Sequence, residues 1–405
     1  MTNRNKFALL LLLFCLIISG LFIIAFNSVS VSKLVEDSWN TKKPLPQARA
    51  NLGVVTVEGK IYAIGGYTAT NQEWWGPYQA GFVDTNERYD PATDKWVTLE
   101  PMPTPRASFA IAVYQGKIYC MGGEVLHNPG DYNIYRVTEV YDPVANSWST
   151  KKDVPFEGLG FRVYVVDGEL FAIAGCDLFT YDPGADEWNK KTSIPPPDDA
   201  NNSGFRFDFA VVLDNKIMVY CIYGYDDAWW RSKGAVMIYD TKADVWSEGK
   251  THEEGIYGKS TQSPYGTTVS VTGVCMTTGV YAPARVYIFG LTSGPGQPIS
   301  TNWVYDPEKD TWSTVNNMPT YREQFGVAVV DDILYVIGGK NAFGYDIYSV
   351  NERYIAKGYK DALPPITTKP PNPTPEPTNT LFPTPEPPKI QVELYISEKK
   401  SMKMS

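Results

Sequence analysis

Apolar residues are distributed along the chain in three ways. From Phe7 to Phe26 they run almost without interruption; from Leu52 to Ile355 they come in short bursts between turn residues; beyond Leu363 they thin out. The bursts repeat. Ile61-Tyr-Ala-Ile64 and Leu334-Tyr-Val-Ile337 are apolar at successive positions, which predicts short strands buried on both faces. A hairpin turn precedes each such run, and six residues after the turn stands a small pair: Gly59 leads to Gly65-Gly66, Gly116 to Gly122-Gly123, Gly168 to Ala174-Gly175 and Asp332 to Gly338-Gly339. Glycine at a strand end permits positive φ and a close backbone approach. Two copies depart from the pattern, where Asn215 leads to Cys221-Ile222 and Ala284 to Gly290-Leu291.

Downstream of the small pair comes a second signature, a Tyr-Asp pair with Trp seven positions after the Tyr. It occurs five times, as Tyr89/Asp90/Trp96, Tyr141/Asp142/Trp148, Tyr181/Asp182/Trp188, Tyr239/Asp240/Trp246 and Tyr305/Asp306/Trp312. The intervening segments, DPATDKW, DPVANSW, DPGADEW, DTKADVW and DPEKDTW, read as turns: the Asp carboxylate accepts nearby backbone N–H groups, and in four of them Pro supplies the next φ. Each unit is therefore four strands. Strand a is apolar (Leu52 to Val57 in the first copy), strand b ends at the small pair, strand c ends at Tyr-Asp and strand d carries the Trp, the same role being expected for Trp96, Trp148, Trp188, Trp246 and Trp312.

In this order, the double glycine, the Tyr-Asp-Pro turn and the Trp resemble Kelch repeats, and the resemblance covers Ser38 to about Tyr359. It implies an all-β propeller built from units of about fifty residues. Strand b occurs six times but the Tyr-Asp…Trp unit only five, because the last copy stops at Glu352-Arg353-Tyr354. Trp39, in Asp37-Ser-Trp-Asn40, precedes the first strand a and has no strand c before it. It is expected to supply strand d of the sixth blade, so that the N-terminal strand closes the ring.

The segments outside the repeats set the domain plan. Arg4 and Lys6 precede the apolar run 7–26, which is long enough to cross a bilayer as a helix with the N-terminus inside. Residues 1–30 thus read as a signal anchor, or as a signal peptide cleaved near Ser28 and Ser30, and the propeller of residues 31–360 as exported. The expected location is the cell membrane with the propeller outside, or the secreted fraction if cleavage occurs. Residues 361–388 are rich in Pro and Thr and read as a disordered, extended linker; residues 389–405 form a short polar tail.

Composition removes several classes of function. The formal charge of −9 is spread without a basic block, which argues against nucleic acid as a partner. Only His127 and His252 are available, too few for the histidine ligands of copper oxidases that resemble galactose oxidase. No nucleophile triad, phosphate loop or zinc motif stands out, so neither metal nor cofactor is expected. Cys120, Cys176, Cys221 and Cys275 lie in or beside apolar runs and read as buried thiols, with a Cys176–Cys221 bridge as the alternative in an oxidising compartment.

The candidate binding residues come from the b–c and d–a loops, the face on which propellers of this type commonly bind ligand. Glu73, Trp74 and Trp75 in one loop and Asp227, Trp229 and Trp230 in another pair aromatic faces with carboxylates, which suits a sugar ring as well as a plug for the channel. Arg49, Arg106 and Arg322 recur before strand a, with Arg162 and Arg206 a little further on; they are candidates either to grip a carboxylate or to tie adjacent loops together. Asn201 is a glycosylation acceptor. A surface-displayed module that binds protein or glycan is the preferred reading. Its alternatives are an exported carbohydrate-active enzyme, such as an isomerase similar to the six-bladed sialic acid mutarotases, and a structural component of the cell envelope.

Overall fold

The computed structural model describes residues 34–69, 81–128, 131–156, 160–196, 206–213, 215–223, 233–249, 268–293, 299–341 and 346–360. Among these residues every regular element is a strand. β1 (Ser38–Thr41) is followed by a first four-stranded sheet of β2 (Gly53–Val57), β3 (Lys60–Ile64), β6 (Asn86–Asp90) and β7 (Lys95–Leu99), with a small ribbon of β4 (Tyr67–Thr68) and β5 (Gly81–Phe82) between its middle strands. The second sheet is β8 (Ala110–Tyr114), β9 (Lys117–Met121), β12 (Thr138–Asp142) and β13 (Ser147–Lys151), with the ribbon β10 (Glu124–Asn128) and β11 (Asp131–Ile134).

Three more sheets follow in plain a–b–c–d order. They are β14 (Arg162–Val166), β15 (Glu169–Ala174), β16 (Asp177–Asp182) and β17 (Glu187–Lys190); β18 (Arg206–Leu213), β19 (Lys216–Tyr223), β20 (Lys233–Asp240) and β21 (Val245–Glu248); and β22 (Thr268–Met276), β23 (Val286–Ser293), β24 (Ile299–Asp306) and β25 (Thr311–Val315). The sixth joins β26 (Gly326–Val330), β27 (Ile333–Ile337) and β28 (Asn351–Ile355) to β1, whose Trp39 lies opposite Tyr354. The a strands meet in turn, β2 with β8, β8 with β14, β14 with β18, β18 with β22, β22 with β26, and β26 with β2. The chain is thus a six-bladed β-propeller.

Apolar alternation explains the layering. The b strands are buried at nearly every position, as in Ile333–Ile337, whereas the d strands show one half-buried residue between exposed ones. Aromatic residues on b strands reach the strand-c tyrosine of the next blade, with ring centroids 6.0 Å apart for Tyr335–Tyr89, 6.1 Å for Tyr62–Tyr141, 6.4 Å for Tyr119–Tyr181 and 5.9 Å for Tyr287–Tyr354. Blades also interlock at single atoms. A Cβ on Gly326 would come within 2.0 Å of Val54 Cγ2, so a bare backbone is required where strand a of the sixth blade passes the first.

The turn between strands c and d carries the repeat's chemistry. The strand-c phenol donates to the residue two before the Trp: Tyr89 to Asp94 at 2.6 Å, Tyr141 to Asn146 at 2.6 Å, Tyr181 to Asp186 at 2.5 Å, Tyr305 to Asp310 at 2.8 Å, and Tyr239 to Asp244. Asp94, Asn146, Asp186, Asp244 and Asp310 all have φ between 49° and 57°, a conformation Asn and Asp tolerate best among residues with a side chain. In the sixth blade the same place is taken from across the chain, where Tyr354 donates to Asp37 at 2.7 Å and Asp37 has φ 51°. Burial is the first cause that raises these phenols, to about 12 for Tyr141 and Tyr305, so they remain donors across the ordinary pH range.

These residues also join neighbouring blades. The Lys43 N–H donates to Asp94 Oδ1 at 2.9 Å, and its carbonyl accepts from Trp96 Nε1 at 2.9 Å and from Asn351 Nδ2 at 3.1 Å. Glu100 repeats the pattern with Asn146, Trp148 and Asn86, and Asn316 with Asp37, Trp39 and Asn302. The backbone N–H and carbonyl of one connector residue are therefore held by its own blade's Asn and by the next blade's turn residue and Trp. That arrangement satisfies polar backbone groups where the blades meet.

The tryptophans of strand d share one packing but not one set of bonds. Each stacks at a tilt on the tyrosine opposite, with centroids 5.0 Å apart for Trp96, Trp148, Trp246 and Trp312 and 4.7 Å for Trp188. Trp246 and Trp312 are half-buried between exposed neighbours, as the outer strand requires, yet they depart from the equivalence expected of the five. Trp246 Nε1 donates to the Thr192 carbonyl at 3.1 Å, while its turn residue Asp244 meets the side-chain ammonium of Lys191 at 3.3 Å, so the joint spreads over two connector residues. Trp312 leans edge-on against Tyr220 of the fourth blade at 6.0 Å; residues 250–267, which join that blade to β22, lie outside the described residues. Trp188 keeps the packing and its turn residue Asp186 accepts the Lys152 N–H at 2.8 Å, but its buried Nε1 has no hydrogen-bond partner among the described residues.

Asp332 makes a further joint. It is buried, and its carboxylate accepts the N–H groups of Thr278 at 2.5 Å, Tyr281 at 2.7 Å and Ala282 at 2.9 Å, all on the fifth blade. Burial alone would raise its pKa; the hydrogen bonds from Thr278, Ala282 and Tyr281 more than offset this and hold it below the usual carboxylate range. A carboxyl whose pKa is depressed in the folded state adds stability that is present above the unfolded pKa and lost as the pH falls through the folded one. Asp332→Asn is expected to cost about 1–3 kcal/mol at pH 7. Thermal unfolding followed from pH 7 into acid should show the two proteins converging; a constant gap would refute the role given to the charge.

Candidate binding surface

Strands a and c run toward one face of the ring, which carries the a–b and c–d turns; strands b and d run toward the other, which carries the b–c and d–a loops. The three arginines lie at the base of this loop face. Arg49, Arg106 and Arg322 are 0%, 0% and 1% exposed, and each faces a buried glutamate of strand c in its own blade: Arg49 Nη2 lies 2.5 Å from Glu87, Arg322 Nη1 2.6 Å from Glu352, and Arg106 pairs with Glu139. Other donors go to carbonyls of strand b and the adjoining loops, Arg106 to Gly122, Thr104 and Cys120, Arg322 to Thr320 and Val336, and Arg49 to Gly65, Thr85 and Ala63, while Nε of Arg49 and of Arg322 has no partner among the described residues. The carboxylate these arginines grip is internal. Burial is the first influence on the Arg49–Glu87 pair, lowering the guanidinium pKa and raising that of the carboxyl against their mutual attraction.

The opposite half of the ring solves the same position without charge. Two residues before the strand-c tyrosine, where blades six, one and two place Glu352, Glu87 and Glu139, blades three, four and five place Phe179, Met237 and Trp303. In blade three Phe156 fills the space, 4.9 Å from Phe161, 4.9 Å from Phe179 and 5.9 Å from Trp188. Arg162 sits on the first residue of β14 with an exposed side chain that donates to the Phe161 carbonyl at 3.1 Å, so it is not the counterpart of the buried three. Glu73, Trp74, Trp75, Asp227, Trp229, Trp230, Asn201 and His252 lie outside the described residues, as does the apolar run 7–26. Arg206 and His127 lie on β18 and β10.

Above the buried pairs the structure brings together residues that the sequence reading did not single out. Asn51, Ser108 and Gln324 each stand two residues after a buried arginine, with φ of 50°, 56° and 56°. They link three blades in series, since the Asn51 N–H donates to the Gln324 carbonyl at 2.8 Å and the Ser108 N–H to the Asn51 carbonyl at 3.1 Å. Tyr67 Oη donates to Gln324 Oε1 at 2.5 Å, Ser108 Oγ to Glu124 Oε1 at 2.7 Å, and Lys340 pairs with Glu323 at 3.2 Å. The Tyr67 phenol is raised to about 12, first by burial and then by Glu323 and Glu124. The signal that would have found this set is a repeated one: a polar residue two after each arginine, and Tyr67, Glu124 or Lys340 directly after each double glycine.

This surface offers amide, hydroxyl and carboxylate groups on a braced frame, the equipment for hydrogen-bonded recognition. No group of three or more His, Cys, Asp or Glu able to hold a metal occurs among the described residues. Cys120 and Cys221 are buried, and burial raises the Cys120 thiol to about 12, far from nucleophilic use.

Comparison with known proteins places these features. A family model described as Kelch motif matches residues 48–103, 105–155 and 284–319. Kelch-like protein 35 of Mus musculus is 25% identical over 163 residues, which cover 40% of this chain and 26% of that protein. Kelch-like protein 15 of Danio rerio is 25% identical over 257 residues, covering 60% and 40%, and Kelch repeat and BTB domain-containing protein 13 of Homo sapiens is 32% identical over 138 residues, covering 34% and 27%. The chain thus spans about a quarter to two fifths of the length of these relatives. The solved structure described as "Structure of YjhT" superposes with a TM-score of 0.55 at 14% identity, covering 77% of this chain and 96% of that one, which is likeness of fold.

The buried pair and the aromatic cluster are two fillings of one site, and this can be tested. Arg106→Ala leaves Glu139 buried without its partner and is expected to cost about 3–5 kcal/mol. Copying blade three with Thr104→Phe, Arg106→Gly and Glu139→Phe together should recover most of that loss. Chemical denaturation of the three proteins makes the comparison, and an Arg106→Ala protein as stable as the wild type would sink the structural role.

Proposed function

Because the chain is a Kelch-repeat β-propeller, we propose that it is a surface-displayed binding module that recognises a protein or glycan through its loop face. The observation that carries the reading is the row formed by Asn51, Ser108 and Gln324 with Tyr67 and Glu124, polar groups presented above three buried ion pairs that brace their loops. The isomerase alternative loses its support in the arginines, whose guanidinium groups at positions 49, 106 and 322 are occupied by internal carboxylates. A photo-crosslinking residue at Ser108 should trap a ligand on intact cells, and one at Val144, 93% exposed on the turn face, should not. Equal labelling from both positions would remove the loop face as the binding surface.

The same reading takes residues 7–26 as the membrane anchor, with the propeller outside and its ring closed by β1. Closure is supported by the way Trp39 packs on Phe289 and Tyr354, at centroid distances of 5.9 and 5.1 Å, and by its bond to Asn316. Trp39→Ala is expected to destabilise the domain by about 3 kcal/mol. A melting temperature unchanged by Trp39→Ala, or by deletion of Val35 to Lys43, would refute the closure; protease added outside intact cells checks the orientation.

A further inference from the structure

The two ends of the propeller leave it side by side. β1 and β28 are antiparallel, with Ser38 opposite Ile355 and Thr41 opposite Glu352, so the chain enters β1 and leaves β28 at the same end, on the turn face. There the Gly358 N–H donates to Glu36 Oε2 at 2.7 Å and the Asp37 N–H to the Ile355 carbonyl at 2.9 Å; at the far end the Lys42 N–H donates to the Asn351 carbonyl at 2.8 Å. The exit segment is fastened to the fifth blade. Arg285 Nη1 donates to the Lys357 carbonyl at 3.1 Å, the Lys360 N–H donates to the Tyr281 carbonyl at 2.7 Å, and Tyr359 is buried beside Tyr281. β1 is an outer strand with two half-buried and two exposed residues, whereas Tyr354, Ile355 and Ala356 are fully buried.

This layout fixes how the seam carries load. Tension between residues 35 and 360 falls first on Glu36–Gly358, then on the Asp37 contacts, then on each pair in turn up to Thr41–Glu352, one rung at a time. In the other five blades the c and d strands are joined by a covalent turn, so tension along the chain does not part them in this way. We propose that β1 is a release strand: tension between the two chain ends peels residues 35–43 from the ring and opens it at the sixth blade alone. The proposal rests on the reading of β1 as the closing strand. Peeling would remove Asp37 and Trp39 from Asn316, and Lys43 from Asp94 and Trp96, undoing the joints on both sides of that blade while the remaining joints stay made. It would also bare the edge of β28, whose unpaired backbone is a template for another strand.

The full chain can be pulled in two geometries in an optical trap. Handles at Val35 and Lys360, both exposed, load the rungs in succession; handles at Lys43 and Lys357, also exposed and at opposite ends of the β1–β28 pair, load them together. The first pair should open at a force several-fold lower than the second, in a short first step confined to residues 35–43 that reverses on relaxation. Opening at the same or higher force, or in one step that unravels the whole ring, would overturn the proposal. Its failure is distinct from failure of the closure itself, which Trp39→Ala reads through the melting temperature without any applied force.

Discussion

The structure depends on how the backbone of one connector residue is held where neighbouring blades meet. A ring of sheets has no overlying layer, so where strand d passes to the next strand a the connector must find its partners sideways, in the neighbouring blade. Lys43, Glu100 and Asn316 show the solution: the N–H is taken by a turn residue in the left-handed region and the carbonyl by a Trp two positions later. That single requirement dictates several features of the repeat. The turn residue must carry a short acceptor and tolerate positive φ, hence Asp or Asn; the Trp must follow on the outward-running strand; and the tyrosine opposite must donate to the same acceptor.

The loop face imposes a different constraint. Its d–a connectors end in backbone turned back on itself at Asn51, Ser108 and Gln324, and something must hold that turn against the strands below. In blades six, one and two a buried Arg–Glu pair does so, at the cost of taking two charges out of water. In blade three aromatic packing around Phe156 takes its place. The charged solution leaves directional hydrogen bonds aimed at particular carbonyls, and the polar row on the loop face is found over the blades that use it.

Much of the architecture was legible because its causes are local. The interval from Tyr89 to Trp96 and its four copies is set by a turn whose residues each have a short-range reason to be there. What each Trp bonds to was not legible in that interval: Trp246 keeps the spacing but bonds to Thr192, in a connector whose sequence and length vary from blade to blade, and Trp188 keeps it with no partner for its Nε1 among the described residues. The binding surface was less legible still. The recurrence of Arg49, Arg106 and Arg322 was visible, but whether they face outward or inward depends on Glu87, Glu139 and Glu352, which lie 38, 33 and 30 residues further along the chain. Hydrophobic periodicity does not report a pairing across that distance. A comparison of strands c would have done so, since Asn86-Glu-Arg-Tyr89 and Asn351-Glu-Arg-Tyr354 are the same four residues.

The place of Asp37 bears on where the chain of such a ring can be broken. Ile355 stands where the other blades begin their c–d turn and Asp37 where they end it, so the chain's break coincides with a turn that four residues close elsewhere. The contacts on either side of the break are those of an unbroken blade. The covalent order of the six blades is therefore separable from their spatial order: a circular permutant that joined Ile355 to Asp37 through a turn such as the one after Asp90, and began instead within another c–d turn, would ask every strand to make the neighbours it already has.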